Sequence, residues 1–359
     1  MKRLEPVATG TNPTVSVVIP CYNYGHYLPV AVDSVASQDG VDVDVLIIDD
    51  CSTDDSFDVA QALAARDPRV RAIRNEENAR LIATANKGLS LATGAYALLI
   101  SADDALAPGA LERATSLMEA NPDVGMAYGH VNYFTTEELP ADMPGASSHW
   151  VIWDGAEWAR RVFASARGPV ASPEAVVRTS IMREVGDYDP NFPHTSDLQM
   201  WLRFAARSSI GFVGGTTQAY YRMHGANMSV TQFGLDSDRR PLRDLRFRMD
   251  AFESTSSLFP QGDRYLTAAR RSVAADALDL ARIALDAGPE AQEYVEEIVA
   301  YAAELDPFYK FTPHGAAFVA RKLTGSAFAR TGAAALLERL SLRDTIIRDQ
   351  READTGTRR

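Results

Sequence analysis

Two adjacent acids close an apolar run. Tyr96-Ala97-Leu98-Leu99-Ile100 reads as a buried strand, Ser101-Ala102-Asp103-Asp104 follows it directly, and Pro108 opens a helix just beyond. Neighbouring carboxylates at the C-terminal edge of a strand repel one another and lose hydration, so they need a cation or a set of donors. That edge of an open α/β sheet is also where ligands settle. Mg2+ and Mn2+ take oxygen ligands and are held by one or two carboxylates together with a ligand's phosphates. The pair therefore predicts a metal-assisted site for a phosphorylated ligand.

Three other groups of residues suit the same chemistry. Asp49-Asp50 ends a second strand, where a carboxylate accepts hydrogen bonds from a nucleobase imide or a ribose hydroxyl; the competing reading has Asp50 or Ser52 capping the next helix. Tyr22, at the end of the first strand, offers a ring to stack on a base. Asp197 opens an amphipathic segment, where it takes a proton from a hydroxyl or, in the competing reading, it or Ser196 caps the helix; Glu174, Asp187 and Asp189 are rival bases. Arg222 and His224 flank a strand end before Gly225, placed to meet a phosphate or a metal.

The elements that must position these residues alternate. Val15–Ile19, ended by Pro20, Val43–Ile48, Val70–Ile73 and Tyr96–Ile100 are short apolar runs. Between and after them lie helical patterns over Leu28–Ala36, from a cap at Ser52 or Thr53 through Ala65, over Ala79–Ala92, and over Pro108–Glu119. This predicts a mainly parallel sheet flanked by helices, with the polar strand ends on one rim. Val124–Phe134, Trp150–Trp153, Ala175–Arg178 and Ile210–Val213 read as further strands, and Asp197–Ala206 as a helix. Residues 1–13 read as a loose arm, 135–149 as a surface loop, 238–347 as a helical region and 348–359 as a frayed tail.

The chain of 359 residues is long enough for a sizeable core plus an appendage, and its 46% hydrophobic content is that of a globular protein. A net charge of −12 argues against broad nucleic-acid binding, leaving at most a local basic patch at Arg160, Arg161 and Arg167. Two cysteines, Cys21 and Cys51, make no disulfide framework, and no run approaches ~18 apolar residues, so the expectation is a reduced cytoplasmic protein without a membrane span. Peripheral membrane contact stays open.

In order, Pro20-Cys21-Tyr22-Asn23, Asp49-Asp50-Cys51-Ser52-Thr53-Asp54, Ala79-Arg80 with Ala85-Asn86-Lys87-Gly88, Asp103-Asp104, Gly186-Asp187-Tyr188-Asp189, Asp197 with Trp201-Leu202-Arg203, and Tyr221-Arg222-Met223-His224 resemble the family-2 inverting glycosyltransferases of GT-A fold. The resemblance covers roughly residues 14–230. It implies a catalytic domain over 14–237, with a nucleotide half to about residue 104 and an acceptor half after it. It further implies that Pro20, Tyr22, Asn23, Asp49, Asp50, Arg80, Asn86, Asp103 and Arg222 meet a nucleotide-diphosphate sugar, UDP-linked by default. By the same resemblance Asp104, Asp103 and His224 lie at Mg2+ or Mn2+, and Asp197 deprotonates an acceptor hydroxyl on a glycan, lipid-linked glycan, peptide or small metabolite. Ser101 stands where many members carry a further Asp, and Ser196 where a Glu is common.

Other classes fit less well. A dinucleotide-binding oxidoreductase needs G-x-G-x-x-G after the first strand, and that turn here is Pro20-Cys21-Tyr22-Asn23-Tyr24-Gly25-His26. A nucleotidyltransferase would carry a Gly-rich basic loop there. A non-catalytic sugar-nucleotide or carbohydrate-binding module retaining the fold is the alternative. For the C-terminal helices, with Arg270-Arg271 and Arg321-Lys322, the expectation is packing on the catalytic domain or on a second copy in a homodimer.

Overall fold

The computed structural model describes residues 1–136, 138–140, 146–227, 240–285 and 291–324. These form two units: residues 1–159 with 169–225, and residues 160–168 with those from 226 onward.

The first unit is built on a ten-stranded mixed sheet. Its parallel core is β2 (Thr14–Cys21), β3 (Asp42–Asp49), β4 (Val70–Arg74) and β5 (Tyr96–Leu99), in the order β5-β2-β3-β4. These strands are rich in β-branched and aliphatic residues because both faces are covered, and Val15, Val17, Val18 and Ile19 are fully buried. Helices α1 (Leu28–Ala36), α2 (Ser56–Arg66) and α3 (Arg80–Ser90) join them. Beyond β5 come β6 (Ala105–Leu106), α4 (Ala110–Ala120), β7 (Val124–Phe134), β8 (His149–Trp153), α5 (Gly155–Ser165), β9 (Val176–Arg178), α6 (Thr179–Val185), α7 (Ser196–Ala205) and β10 (Ser209–Arg222). Strand β9 runs antiparallel between β5 and β7, while β10 runs parallel to β7 and antiparallel to β6 and β8.

Several boundaries differ from the expectation. Pro20 does not end its strand: Val18 O accepts from Ile100 N at 3.0 Å, after which the chain leaves that side, so a residue without an N–H costs no ladder bond. Helix α2 begins at Ser56 rather than after Ser52, where Asp54 Oδ1 accepts from Ser56 N at 3.0 Å. Helix α4 begins at Ala110, because Gly109 takes a left-handed φ of 72° and breaks the run from Pro108. The strand read as Ile210–Val213 extends from Ser209 to Arg222, through register shifts that alternation cannot reveal. Within the expected loose arm, β1 (Lys2–Leu4) pairs with β8.

In the second unit, α8 (Arg240–Ser256), α9 (Gly262–Ala284), α10 (Gln292–Leu305) and α11 (Pro313–Thr324) continue the helical region. Phe163 and Phe252 meet at 4.8 Å between ring centres, with Tyr265 5.8 Å from Phe163. Arg167 donates to Asp276 at 3.0 Å, so this member of the expected basic patch is neutralised. Residues 325–347 and the tail 348–359 lie outside the described residues. No helix among the described residues is long and apolar enough to cross a membrane.

Helix α3 lies close on the sheet through Gly88, where an added Cβ would stand 2.3 Å from Val18 Cγ1 and 3.1 Å from Ile48 Cγ1. Gly88→Ala is expected to cost about 1–3 kcal/mol through overpacking, read as a lowered urea midpoint at unchanged slope.

Candidate active site at the C-terminal strand edge

The strand ends of β2, β3, β4 and β5 share one rim, as the sequence predicts. Asp103 and Asp104 leave β5 there at 6% and 2% exposure. The tail of β10 closes on them. Arg222 N donates to Asp104 Oδ1 at 3.0 Å, Arg222 Nε donates to the Asp103 carbonyl at 3.1 Å, and His224 Nε2 lies 3.0 Å from Asp103 Oδ2. Burial pushes both carboxyls up; for Asp104 the charge of Asp103 adds to the rise, and for Asp103 the His224 contact opposes it.

An aromatic cradle holds this tail, and the sequence reading did not find it. The Arg222 guanidinium lies 4.8 Å from the Tyr27 ring centre and 4.5 Å from that of Phe134. His224 packs on Tyr24 and Tyr27 at 5.6 and 5.3 Å. The available signal was the aromatic density of Tyr22-Asn23-Tyr24-Gly25-His26-Tyr27.

On the adjacent strand Asp49 is 1% exposed. Its Oδ2 accepts from Ser52 N at 3.1 Å and lies 3.4 Å from Arg74 Nε, whereas its buried Oδ1 has no hydrogen-bond partner. An orphaned carboxylate oxygen is costly unless a ligand supplies a donor. Tyr22, 45% exposed, presents its ring at the same edge.

Three residues expected at the donor also brace the rim from within. Asp50 accepts from Asn75 Nδ2 at 2.7 Å and from the amides of Ala79 and Arg80 at 2.8 Å each, so it secures the start of α3 rather than that of α2. Asn23 takes the Thr53 amide at 2.9 Å and gives its own amide to Ser52 Oγ at 3.0 Å. Asn86 pairs both ends of its amide with the backbone of Tyr188, at 2.8 and 2.9 Å. Arg80 remains exposed, and with Asn23 and Cys51 it adopts positive φ (69°, 59° and 60°), a concentration of strained backbone on this one rim. Cys21, buried beside the rim, has its thiol pushed up to about 12 by desolvation, and neither cysteine forms a disulfide.

Asp197 stands in the first turn of α7, not at its cap, which is Thr195. Ser172 Oγ donates to Asp197 Oδ2 at 2.7 Å. Burial raises the Asp197 carboxyl and the Ser172 bond opposes that rise. Tyr221, on β10, feels the charges of Asp104, Asp103 and Asp197, which places Asp197 and the acidic pair around one region. Of the rival bases, Glu174 is 2% exposed; Ala171 N donates to its Oε1 at 2.8 Å, and its Oε2 is unpartnered. Burial pushes it well up, and the charges of Asp197 and Asp104 push further, so the fold favours its neutral form. The Asp187 carbonyl accepts from Arg203 at 2.7 Å, and Asp189 Oδ1 accepts from Asn191 N at 2.9 Å, closing a local turn. A mostly apolar cavity of about 240 Å³ lies between Leu89, Leu99, Val177, Met200, Trp201 and Phe204.

Among the described residues no three His, Cys, Asp or Glu side chains form a ready metal cage. The buried Asp103–Asp104 pair instead suits an ion held by one or two carboxylates, with phosphate and water completing its shell.

Residues 16–169 match the family model described as Glycosyl transferase family 2. The chain carries a family-2 glycosyltransferase domain. Its relatives include glycosyltransferase GlyG of Streptococcus pneumoniae, 30% identical over 125 residues covering 34% of this chain and 40% of that protein. An uncharacterized protein of Mycobacterium tuberculosis is 28% identical over 228 residues, covering 56% of this chain and 65% of that one. The chain thus spans less than two thirds of the length of these curated relatives. The crystal structure of S. aureus TarS residues 1–349 in complex with UDP-GlcNAc shares the fold, with a TM-score of 0.57 at 14% identity, covering 87% of this chain and 92% of that one. The glycosyltransferase domain has the GT-A architecture, a mixed sheet with a mainly parallel core flanked by helices.

Because folding raises the Glu174 carboxyl well above its ordinary 4.5, its contribution to stability is full below that ordinary value and is lost as pH rises through the raised folded value. Glu174→Gln is therefore expected to gain on the parent in Tm as pH increases from 4 to 8, by about 2–4 °C for each kcal/mol relieved. A pH-independent difference would contradict this.

Proposed function

We propose that this chain transfers a glycosyl group from a nucleotide-diphosphate sugar to an acceptor hydroxyl, with inversion at the anomeric carbon. The observation that carries the proposal is a pair of differently placed acid sites with shared neighbours: Asp103-Asp104 beside the β10 tail, and Asp197 held by Ser172, with the charges of both reaching Tyr221 and Glu174. The uridine donor of TarS is the first candidate for this chain as well.

In this reading the nucleobase stacks on Tyr22 and gives an N–H to the orphaned Asp49 Oδ1. Asp103 and Asp104, with His224 against Asp103, hold Mg2+ or Mn2+, which when bound supplies positive charge for the departing diphosphate. Asp197 takes the proton of the acceptor hydroxyl while its oxygen forms the new bond to the anomeric carbon. The bond from that carbon to the diphosphate oxygen breaks, and its electron pair leaves with the nucleoside diphosphate. A carboxyl raised above its ordinary value is a stronger base than an exposed aspartate, so burial of Asp197 favours proton uptake. The charge on Tyr221 and Tyr188 stays low, since burial and nearby carboxylates raise both phenols.

Full-length protein is to be tested with a panel of nucleotide sugars and acceptors, following the anomeric proton of the product by NMR. Inverted product is expected from the parent, with kcat lowered about 10²–10⁴-fold in Asp197→Asn while nucleoside diphosphate binding persists. Retained configuration, or an Asp197→Asn variant as fast as the parent, would refute the assignment.

A further inference from the structure

The residues ahead of β9 form a stiff corner. Ala175 N donates to the Ser172 carbonyl at 3.2 Å across Pro173 and Glu174, a turn with proline at the position where its fixed φ is already correct. Ala171 N caps the buried Glu174 carboxyl at 2.8 Å. The corner continues into β9, whose Val176 pairs with Leu98 of β5, the strand after which the chain reaches Asp103-Asp104. Ser172 is therefore fixed relative to the acidic pair, and it spends its hydroxyl proton on Asp197 Oδ2 at 2.7 Å.

We propose that Ser172 is the positioning residue for Asp197: its hydroxyl fixes Oδ2 and leaves Oδ1 to receive the acceptor proton. The proposal rests on the transferase reading above. It assigns to the corner a task that a loop connection alone would not need, that of registering the base against the donor acids through a single strand. Among the described residues, the charge of Asp197 reaches Glu174 from the same corner, Tyr188 from the segment before α7 and Tyr221 from β10. None of the three is a cation, so the donated Ser172 bond is the contact that favours the charged carboxylate against burial.

The test uses full-length protein with 13C-labelled aspartate carboxyls, the Asp197 signal being assigned by its loss in Asp197→Asn. In Ser172→Ala the Asp197 titration midpoint is expected at higher pH than in the parent, and in Ser172→Thr it returns. The acid limb of kcat moves in step, with kcat on that limb about tenfold lower and donor KM unchanged. A midpoint that stays put in Ser172→Ala, or one that moves without the kcat limb following in an active enzyme, overturns the proposal. A midpoint that moves and recovers while the parent transfers no sugar supports the positioning contact and counts against the transferase reading alone.

Discussion

The hydrogen bond from the Arg222 amide to Asp104 joins the two halves of the catalytic sheet. Asp103 and Asp104 belong to the end of the parallel core, whereas Arg222 ends a strand that pairs with β6, β7 and β8. Two nearly buried carboxylates side by side would repel, and a backbone N–H with an imidazole offsets only part of that repulsion. The remaining deficit suits a cation brought with a diphosphate. The aromatic cradle of Tyr24, Tyr27 and Phe134 then has a physical purpose, because it holds the β10 tail where its amide and imidazole can act.

Much of this was legible in the sequence, for particular reasons. The central strands β2 and β5 and the last part of β3 are buried on both faces, so their runs are nearly unbroken, and polar residues mark where each one ends, whereas the edge strand β4 carries the exposed Arg71 within its run. The order of Asp49, Asp103-Asp104, Asp197 and His224 along the chain carried the family resemblance, and the match over residues 16–169 spans the first two of these sites. Of the 14-residue β10 only the run Ile210–Val213 reads as a strand, because its register shifts interrupt the alternation near Gly214 and Gly215.

Side-chain roles were harder to read than positions. Asn23, Asp50 and Asn86 sit on or beside the rim, yet they bond to groups brought from 25 to 102 residues away. A sequence shows that a polar residue stands at a strand end and not which partner the fold delivers to it. Ser172 illustrates the converse. Nothing in Ala171-Ser172-Pro173-Glu174 marks its hydroxyl as special until the fold sets Asp197, 25 residues on, within 2.7 Å of it. The strained φ values at Asn23, Cys51 and Arg80 fit this division of labour, since the struts hold the rim loops in conformations that isolated loops would avoid.

Calorimetric titration of the full-length protein with UDP, in the presence and absence of Mn2+, tests the central claim most directly when the parent is compared with Asp104→Asn. The account predicts that Mn2+ tightens nucleotide binding in the parent and that this gain vanishes in the variant. Equal affinity with and without Mn2+ in the parent, or a gain that survives in Asp104→Asn, would contradict it.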